Sequence, residues 1–291
     1  MKNLSFKFSI LALLFSSFLF SADLKDIKEK GELRHLGIPY AKFITGSGDG
    51  LDIEVMKGFA KYLNVKYTFV PTTWATVYGD LTGQNAKNGE NGVEFLDKRP
   101  IKGDVVANGL TILEWRKKVV NFSTPTFPSG VWLIARSDSK LEPIIPSKSL
   151  SNDISLVKNY LLGKSVLAIE NTCLDPRLYD LKSTKAEIRL QSEKVQLNEL
   201  VPAILNNKAE TTLLDVPDAL IALQKWPGEI KVIGPISQDQ EMAVAFSKDS
   251  PLLLNEFNKY FNEIKKDGSY NKLVQKYYPD VFDYYETFFN K

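Results

Sequence analysis

The stretch Ala107-Asn108-Gly109-Leu110-Thr111-Ile112-Leu113-Glu114-Trp115-Arg116, closed by Val120-Asn121-Phe122-Ser123-Thr124-Pro125, decides how this chain is read. An apolar strand over 104–107 runs into a short turn. The turn offers backbone N–H groups and the Thr111 hydroxyl at the start of a helical turn, and Arg116 follows five positions later. Helix-start N–H groups suit a carboxylate as dipoles, and a guanidinium suits it as a two-pronged charged donor. Taken alone, the segment equally fits a surface helix in which Arg116 sits beside Glu114. The rest of the chain decides between the two.

At the N-terminus, Lys2 and Lys7 accompany an apolar run over 8–20 that is too short to span a bilayer, and Ser21-Ala22 precedes the first acidic residue, Asp23. This pattern predicts a signal peptide over 1–22 and a periplasmic location. The bulky Phe20 departs from the small-x-small rule at the cut, and the absence of cysteine there argues against lipid attachment. Losing Lys2 and Lys7 leaves 37 − 2 = 35 basic residues against 35 acidic ones. A balanced charge gives no reason to expect nucleic acid or an anionic membrane as partner. The remaining 291 − 22 = 269 residues suit two domains. Cys173 is the one cysteine, so no internal disulfide forms and a free, partly buried thiol is expected. Neither a metal nor a cofactor is expected, and the chain should be a monomer.

Strand and helix patterns alternate, which favours α/β architecture. Strands are predicted over 33–38, 65–70 and 104–110, and a helix over 52–63 from the spacing of Ile53, Val55, Met56, Phe59, Ala60 and Leu63. Residues 82–103, rich in Gly, Asn and Lys, read as a surface loop. A second block follows: helix 153–162, strands 165–169 and 187–191, helix 197–205, strand 210–214, helix 216–224 and strand 231–233. Helix 251–266 ends at Gly268, and helix 269–278 leads to an aromatic tail over 279–291 that we expect to pack on the first lobe. Extended runs at 132–136 and 240–246 bracket the central block. Read as crossings, they make a two-lobed molecule: lobe 1 from 23–133 and 240–291, lobe 2 from 134–239, joined by two extended hinge segments. Ligands bind well in such clefts.

The ordered set Leu24-Lys25-Asp26-Ile27, Gly37-Ile38 with Pro39-Tyr40, Gly50-Leu51-Asp52, Phe69-Val70-Pro71 with Trp74, Thr111 to Arg116, Phe122-Ser123-Thr124-Pro125, Gly163-Lys164-Ser165, Asn171-Thr172, Leu214-Asp215 and Lys266-Asp267-Gly268-Ser269-Tyr270 spans nearly all of the chain after residue 22. In this order and spacing it resembles the extracellular solute-binding proteins of family 3, the polar amino acid receptors of bacterial ABC importers. The resemblance implies the type II periplasmic binding protein fold. It assigns the ligand's α-carboxylate to Arg116, helped by Gly109 and Thr111, with Leu113 standing where the family has a second Thr. It assigns the α-ammonium group to Asp215, which also suits a helix N-cap. Thr172, in the turn Asn171-Thr172-Cys173, is a second-lobe contact to the carboxylate. Tyr40, Phe43 and Trp74 fall where the family builds an aromatic wall, although one or two of them equally suit a core. Glu170 fits either a reader of a cationic group or a solvated acid, and His35 reads as a packed histidine.

The function implied is capture of an amino acid or similar small carboxylate between the lobes and its delivery to an ABC permease in the inner membrane, without catalysis. Two alternatives stand beside it. One is a dehydratase-like enzyme on the same fold, for which Glu170 and Asp215 are the acid or base candidates. The other is a ligand-sensing module that works with a separate membrane partner.

Overall fold

The computed structural model describes residues 22–191 and 199–290. Apart from Ala22, the leader read over 1–22 lies outside them, as does the start of the helix read over 197–205. No helix among the described residues is long and apolar enough to cross a membrane.

Two five-stranded sheets organise the chain. In the first, Lys66–Pro71, Glu32–Gly37, Val105–Val106, Ala245–Phe246 and Asn121–Phe122 lie side by side in that order. The first three strands are parallel, and Ala245–Phe246 runs antiparallel to both neighbours. In the second the order is Glu187–Leu190, Ser165–Ala168, Thr211–Asp215, Val131–Arg136 and Ile230–Pro235. Val131–Arg136 is antiparallel to the strands on either side. Each sheet is the centre of one lobe, with helices packed against it.

The helices follow from local chemistry. Leu24–Lys30 starts with a capping box between Asp23 and Asp26, so two orphan N–H groups are satisfied reciprocally. Pro251–Lys266 begins with proline, whose missing N–H costs nothing in the first turn, and buries Leu253, Phe257, Tyr260 and Phe261. Gly268 takes the left-handed φ of 77° that separates it from Ser269–Tyr277. Phe257 packs on Phe59, Phe246 and Phe261, binding the C-terminal helices to the first sheet.

The structure revises four sequence readings. Residues 82–103 are not a plain loop. Gln84–Gly89 and Gly92–Lys98 form an antiparallel hairpin, whose strands are mostly polar on both faces and therefore lack an alternating signature. The strand read over 104–110 pairs only at Val105–Val106, because the chain turns away through Gly109, whose φ is 62°. The run at 132–136 is a strand of the second sheet, so the chain passes between lobes just upstream, where Phe127–Ser129 pairs with Gln240–Met242. The tail is a helix, Val281–Phe289, but it packs on this crossing as well as on the first lobe. Phe289 lies 5.9 Å from Phe127, Tyr285 Oη donates to Ser129 O, and Tyr284 lies 5.4 Å from Trp132 in the second sheet.

One buried acid ties the fold to the turn before Arg116. Asp52, in the first turn of the helix Leu51–Tyr62, accepts the Gly109 N–H at 2.7 Å. Burial pushes its carboxyl up to about 7, against the pull of that hydrogen bond. The unfolded chain therefore releases this proton first, near pH 4, while the folded chain holds it until about pH 7. Stability from this group declines as pH rises across that window and is level above it, with a slope of at most about 1.4 kcal/mol per pH unit. Asp52→Asn keeps an acceptor for Gly109 and removes the titration. Denaturant unfolding at pH 4.5 and pH 7 should show the mutant gaining on the wild type as pH rises; parallel profiles would refute the assignment.

Candidate functional site

The turn 108–113 is held from outside by the returning chain. Ile112 N–H donates to Glu241 O at 2.8 Å, Ala243 N–H donates to Leu110 O at 3.0 Å, and Thr111 bridges to Met242. The short helix Glu114–Lys117 follows. It turns Arg116 inward, where the residue is only 1% exposed. Its Nη1 donates to Thr111 O at 2.8 Å, and the guanidinium carbon lies 5.9 Å from the Trp74 ring and 5.5 Å from the Trp115 ring. Its Nε has no hydrogen-bond partner, nor does Thr111 Oγ1 or either polar atom of the Asn108 side chain. Among the described residues Arg116 is in no ion pair with an acid. A buried guanidinium without an anion is costly unless a ligand supplies one. The N–H groups expected to help are partly taken, since Gly109 donates to Asp52 and Ile112 to Glu241.

Asp215 ends the strand Thr211–Asp215 and caps the helix Val216–Lys225. Its two oxygens divide the work. Oδ1 accepts the Asp218 N–H at 3.2 Å, while Oδ2 accepts the Tyr40 hydroxyl and the Cys173 thiol, the latter at 3.3 Å. Capping and facing the cleft thus coexist in one side chain. Tyr40 follows a strand of the first sheet, so its bond to Asp215 closes the cleft from one lobe to the other. Burial pushes the Asp215 carboxyl up, opposed by the Tyr40 and Cys173 hydrogen bonds. Asp218 is pushed up to about 8 by burial and then by the Asp215 charge. Neither acid is in an ion pair among the described residues, although the Arg116 charge also pulls Asp215 down from across the cleft, so Asp215 and Arg116 each lack a direct partner of opposite charge.

The remaining expected residues divide. Trp74 is half-buried and faces Arg116, and together with Tyr78, Trp115 and Thr172 it lines a small cavity of about 50 Å³. Phe43 sits behind the site in the core, against Phe127 and Tyr278. A Cβ on Gly109 would come within 2.4 Å of the Phe43 ring, so glycine is required there by close approach as well as by its φ. Thr172 Oγ1 donates to Ile169 O and accepts the Leu174 N–H, closing its own turn. His35 is buried, contacts Ala107 O and the Tyr67 hydroxyl, and burial pushes its imidazole down to about 4, so it is a packed, neutral histidine. Sequence reading missed Asn108, Asp218 and Gln240, whose Oε1 is buried without a partner. Asn108 lay inside the quoted stretch, but nothing local marked its side chain as left unsatisfied. No cluster of three or more potential metal ligands occurs among the described residues.

Comparison with known proteins places this geometry. A family of bacterial extracellular solute-binding proteins, family 3, matches residues 97–280. The chain is 27% identical to the L-cystine-binding protein TcyJ of Escherichia coli K12, over 88% of this chain and 85% of that one. It is 24% identical to the membrane-bound lytic murein transglycosylase F of Desulfosudis oleivorans, over 82% of this chain and 46% of that protein, so it spans about half the length of such relatives. Among solved structures, an ancestral amino acid-binding protein described as a precursor of cyclohexadienyl dehydratase superposes with a TM-score of 0.66 at 26% identity, covering 88% of this chain and 98% of that one. The two lobes, the paired crossing and the cleft between them are those of a type II periplasmic binding protein. The chain belongs to the bacterial extracellular solute-binding proteins of family 3.

Proposed function

We propose that this protein captures an α-amino acid between its lobes in the periplasm and delivers it to an ABC permease in the inner membrane, without catalysis. One observation carries the reading: a buried guanidinium in no ion pair faces a cleft whose other wall holds the buried Asp215 carboxyl, also in no ion pair among the described residues. A zwitterion supplies both missing charges. The names of relatives that bind amino acids or cystine support it. In this reading Arg116 and Thr111 hold the carboxylate, Asp215 the ammonium, and Trp74 and Tyr40 flank the α-carbon. Gly109 contributes its shape, and Phe43 and Thr172 support from behind.

A second reading has one specific observation in its favour. Asp218, pushed up to about 8, is an acid that stays protonated at neutral pH beside Asp215. An enzyme on this fold would use it as a proton donor. Mass analysis of the ligand recovered after saturation separates the readings, because an unchanged ligand excludes turnover.

Arg116→Ala should lower ligand affinity at least about a hundredfold, the loss expected when one partner of a buried ion pair is removed. The free protein should keep a cooperative melt, because Arg116 there gives up one hydrogen bond to Thr111 O and its ring contacts but no ion pair. Calorimetry and thermal melts test the two halves; wild-type affinity removes Arg116 from the site.

Asp215→Asn should weaken α-amino acids by about tenfold or more relative to the corresponding deaminated acids, since only the former present an ammonium group. Equal losses for the two ligand types would make Asp215 a cap alone.

We also infer that the lobes hinge about the Phe127–Ser129 and Gln240–Met242 ladder, with little change inside either lobe. Ligand should shrink the radius of gyration in small-angle scattering, and an unchanged value at saturation, with the free protein shown to be open, rules out closure.

A further inference from the structure

Above the anchor, the hairpin Gln84–Gly89/Gly92–Lys98 reaches across to the second lobe. Asn88 N–H donates to Asn171 Oδ1 at 3.2 Å. Beneath the hairpin tip lies a groove of about 590 Å³, with Lys87, Glu90 and Glu94 on one side and Glu170, Asn171 and Arg177 on the other. Lys87, Glu170 and Asn171 also line the small cavity beside Trp74 and Trp115. The inner and outer spaces therefore share a wall at these residues. The inner space has room for little more than a thin linker, whereas the outer one holds a second polar group with ease.

The groove is charged with both signs. Asp175, wholly buried, accepts Arg177 Nε at 3.0 Å and Nη2 at 2.6 Å, and it accepts the Asn171 N–H at 3.1 Å. One buried carboxylate thus orients both the guanidinium and the turn that carries Glu170. Nη1 of Arg177 takes part in none of the hydrogen bonds among the described residues. Lys87 is paired with Glu94 at 3.2 Å, while Glu90 and Glu170 are in no ion pair among the described residues. Both acids lie near enough to act on the Arg177 charge. Asp175 offsets much of the Arg177 charge but leaves Nη1 as a donor: a lone cation here would gain Glu170 and leave Nη1 unused, whereas a lone anion would gain Nη1 and meet the Glu170 charge. A zwitterion suits both.

We propose that this groove is a second head-group subsite and that the ligand is a two-headed amino acid, a diamino dicarboxylate. One α-carbon is held at Arg116 and Asp215, a thin linker passes Trp74, and the other zwitterionic end lies under the hairpin between Arg177 and Glu170. The inner anchor needs carboxylate and ammonium on one carbon, so the linker is a side chain and not a peptide backbone. The proposal rests on the anchor assigned under the function above and adds the ligand class to it.

Calorimetry on the full protein tests it with three probes of similar length: diaminopimelate, α-aminopimelate, which lacks the distal ammonium, and lysine, which lacks the distal carboxylate. Diaminopimelate should bind at least about tenfold more tightly than either. Glu170→Gln should weaken diaminopimelate about tenfold more than α-aminopimelate, and Arg177→Gln should weaken diaminopimelate about tenfold more than lysine. If α-aminopimelate or lysine binds the wild type as tightly as diaminopimelate, or if either mutant weakens its two probes equally, the second subsite is overturned while the anchor stands. If none of the three, nor alanine, binds the wild type, the anchor reading fails and takes the subsite with it.

Discussion

The hydrogen bonds between the turn 110–112 and the returning chain at 241–243 are the constraint on which the rest of the molecule depends. The same returning segment, Gln240–Met242, pairs on its other side with Phe127–Ser129. One piece of backbone therefore joins the crossing between lobes to the turn that aims Arg116. Thr126 N–H donates to Met242 O, and Ser123 exchanges bonds with Val244, extending the tie into the first sheet. Backbone hydrogen bonds in a buried setting tolerate little slippage, because each broken one leaves an unpaired polar group. A change at the crossing is consequently felt at the guanidinium without passing through a loose loop.

On this frame the two lobes hold opposite electrostatic deficits. The first buries a cation whose nearest acceptor is a backbone carbonyl. The second buries Asp215, whose hydrogen-bond partners are a hydroxyl, a thiol and a cap N–H, with the buried Asp218 carboxyl beside it. Neutral partners offset only part of the cost of burying these groups, and the raised pKa directions at Asp215 and Asp218 record the remainder. The Tyr40 hydroxyl stands in, across the cleft, for part of what an ammonium would give. Preorganisation of this kind leaves the site strained for charge and ready for a small dipolar molecule.

Much of the fold was legible because its signals are local. The helix Pro251–Lys266 matches the reading to the residue, since proline, the spacing of its apolar residues and Gly268 each act within a few positions. Arg116 and Asp215 were legible through ordered resemblance more than through chemistry. What escaped needed distant partners. Asp52 reads as an ordinary first-turn acid until Gly109, 57 positions away, is brought to it. The Cys173 thiol gains meaning only beside Asp215. The hairpin was hidden because its strands are polar on both faces, although Asn88-Gly89 and Asn91-Gly92 are turn signals that the loop reading set aside. The shift of the crossing from 132 to 127 was invisible for a different reason: both segments are extended and apolar, and only pairing distinguishes a bridge from a core strand.

The chain order of the strands also dictates the order in which the molecule is completed. Ala245–Phe246 sits between Val105–Val106 and Asn121–Phe122, so the first sheet lacks an inner strand until every strand of the second has been synthesised. The second lobe needs nothing beyond Pro235 for its sheet. Phe289, made later than every strand of either sheet, supplies a ring that packs on Phe127 at the crossing. A chain made only as far as Pro235 thus has every strand of the second sheet but lacks one of the first, and the ring that packs on Phe127. Assembly of the first lobe and its junction is a closing step, set by the segment after residue 240 and not by the residues that emerge first.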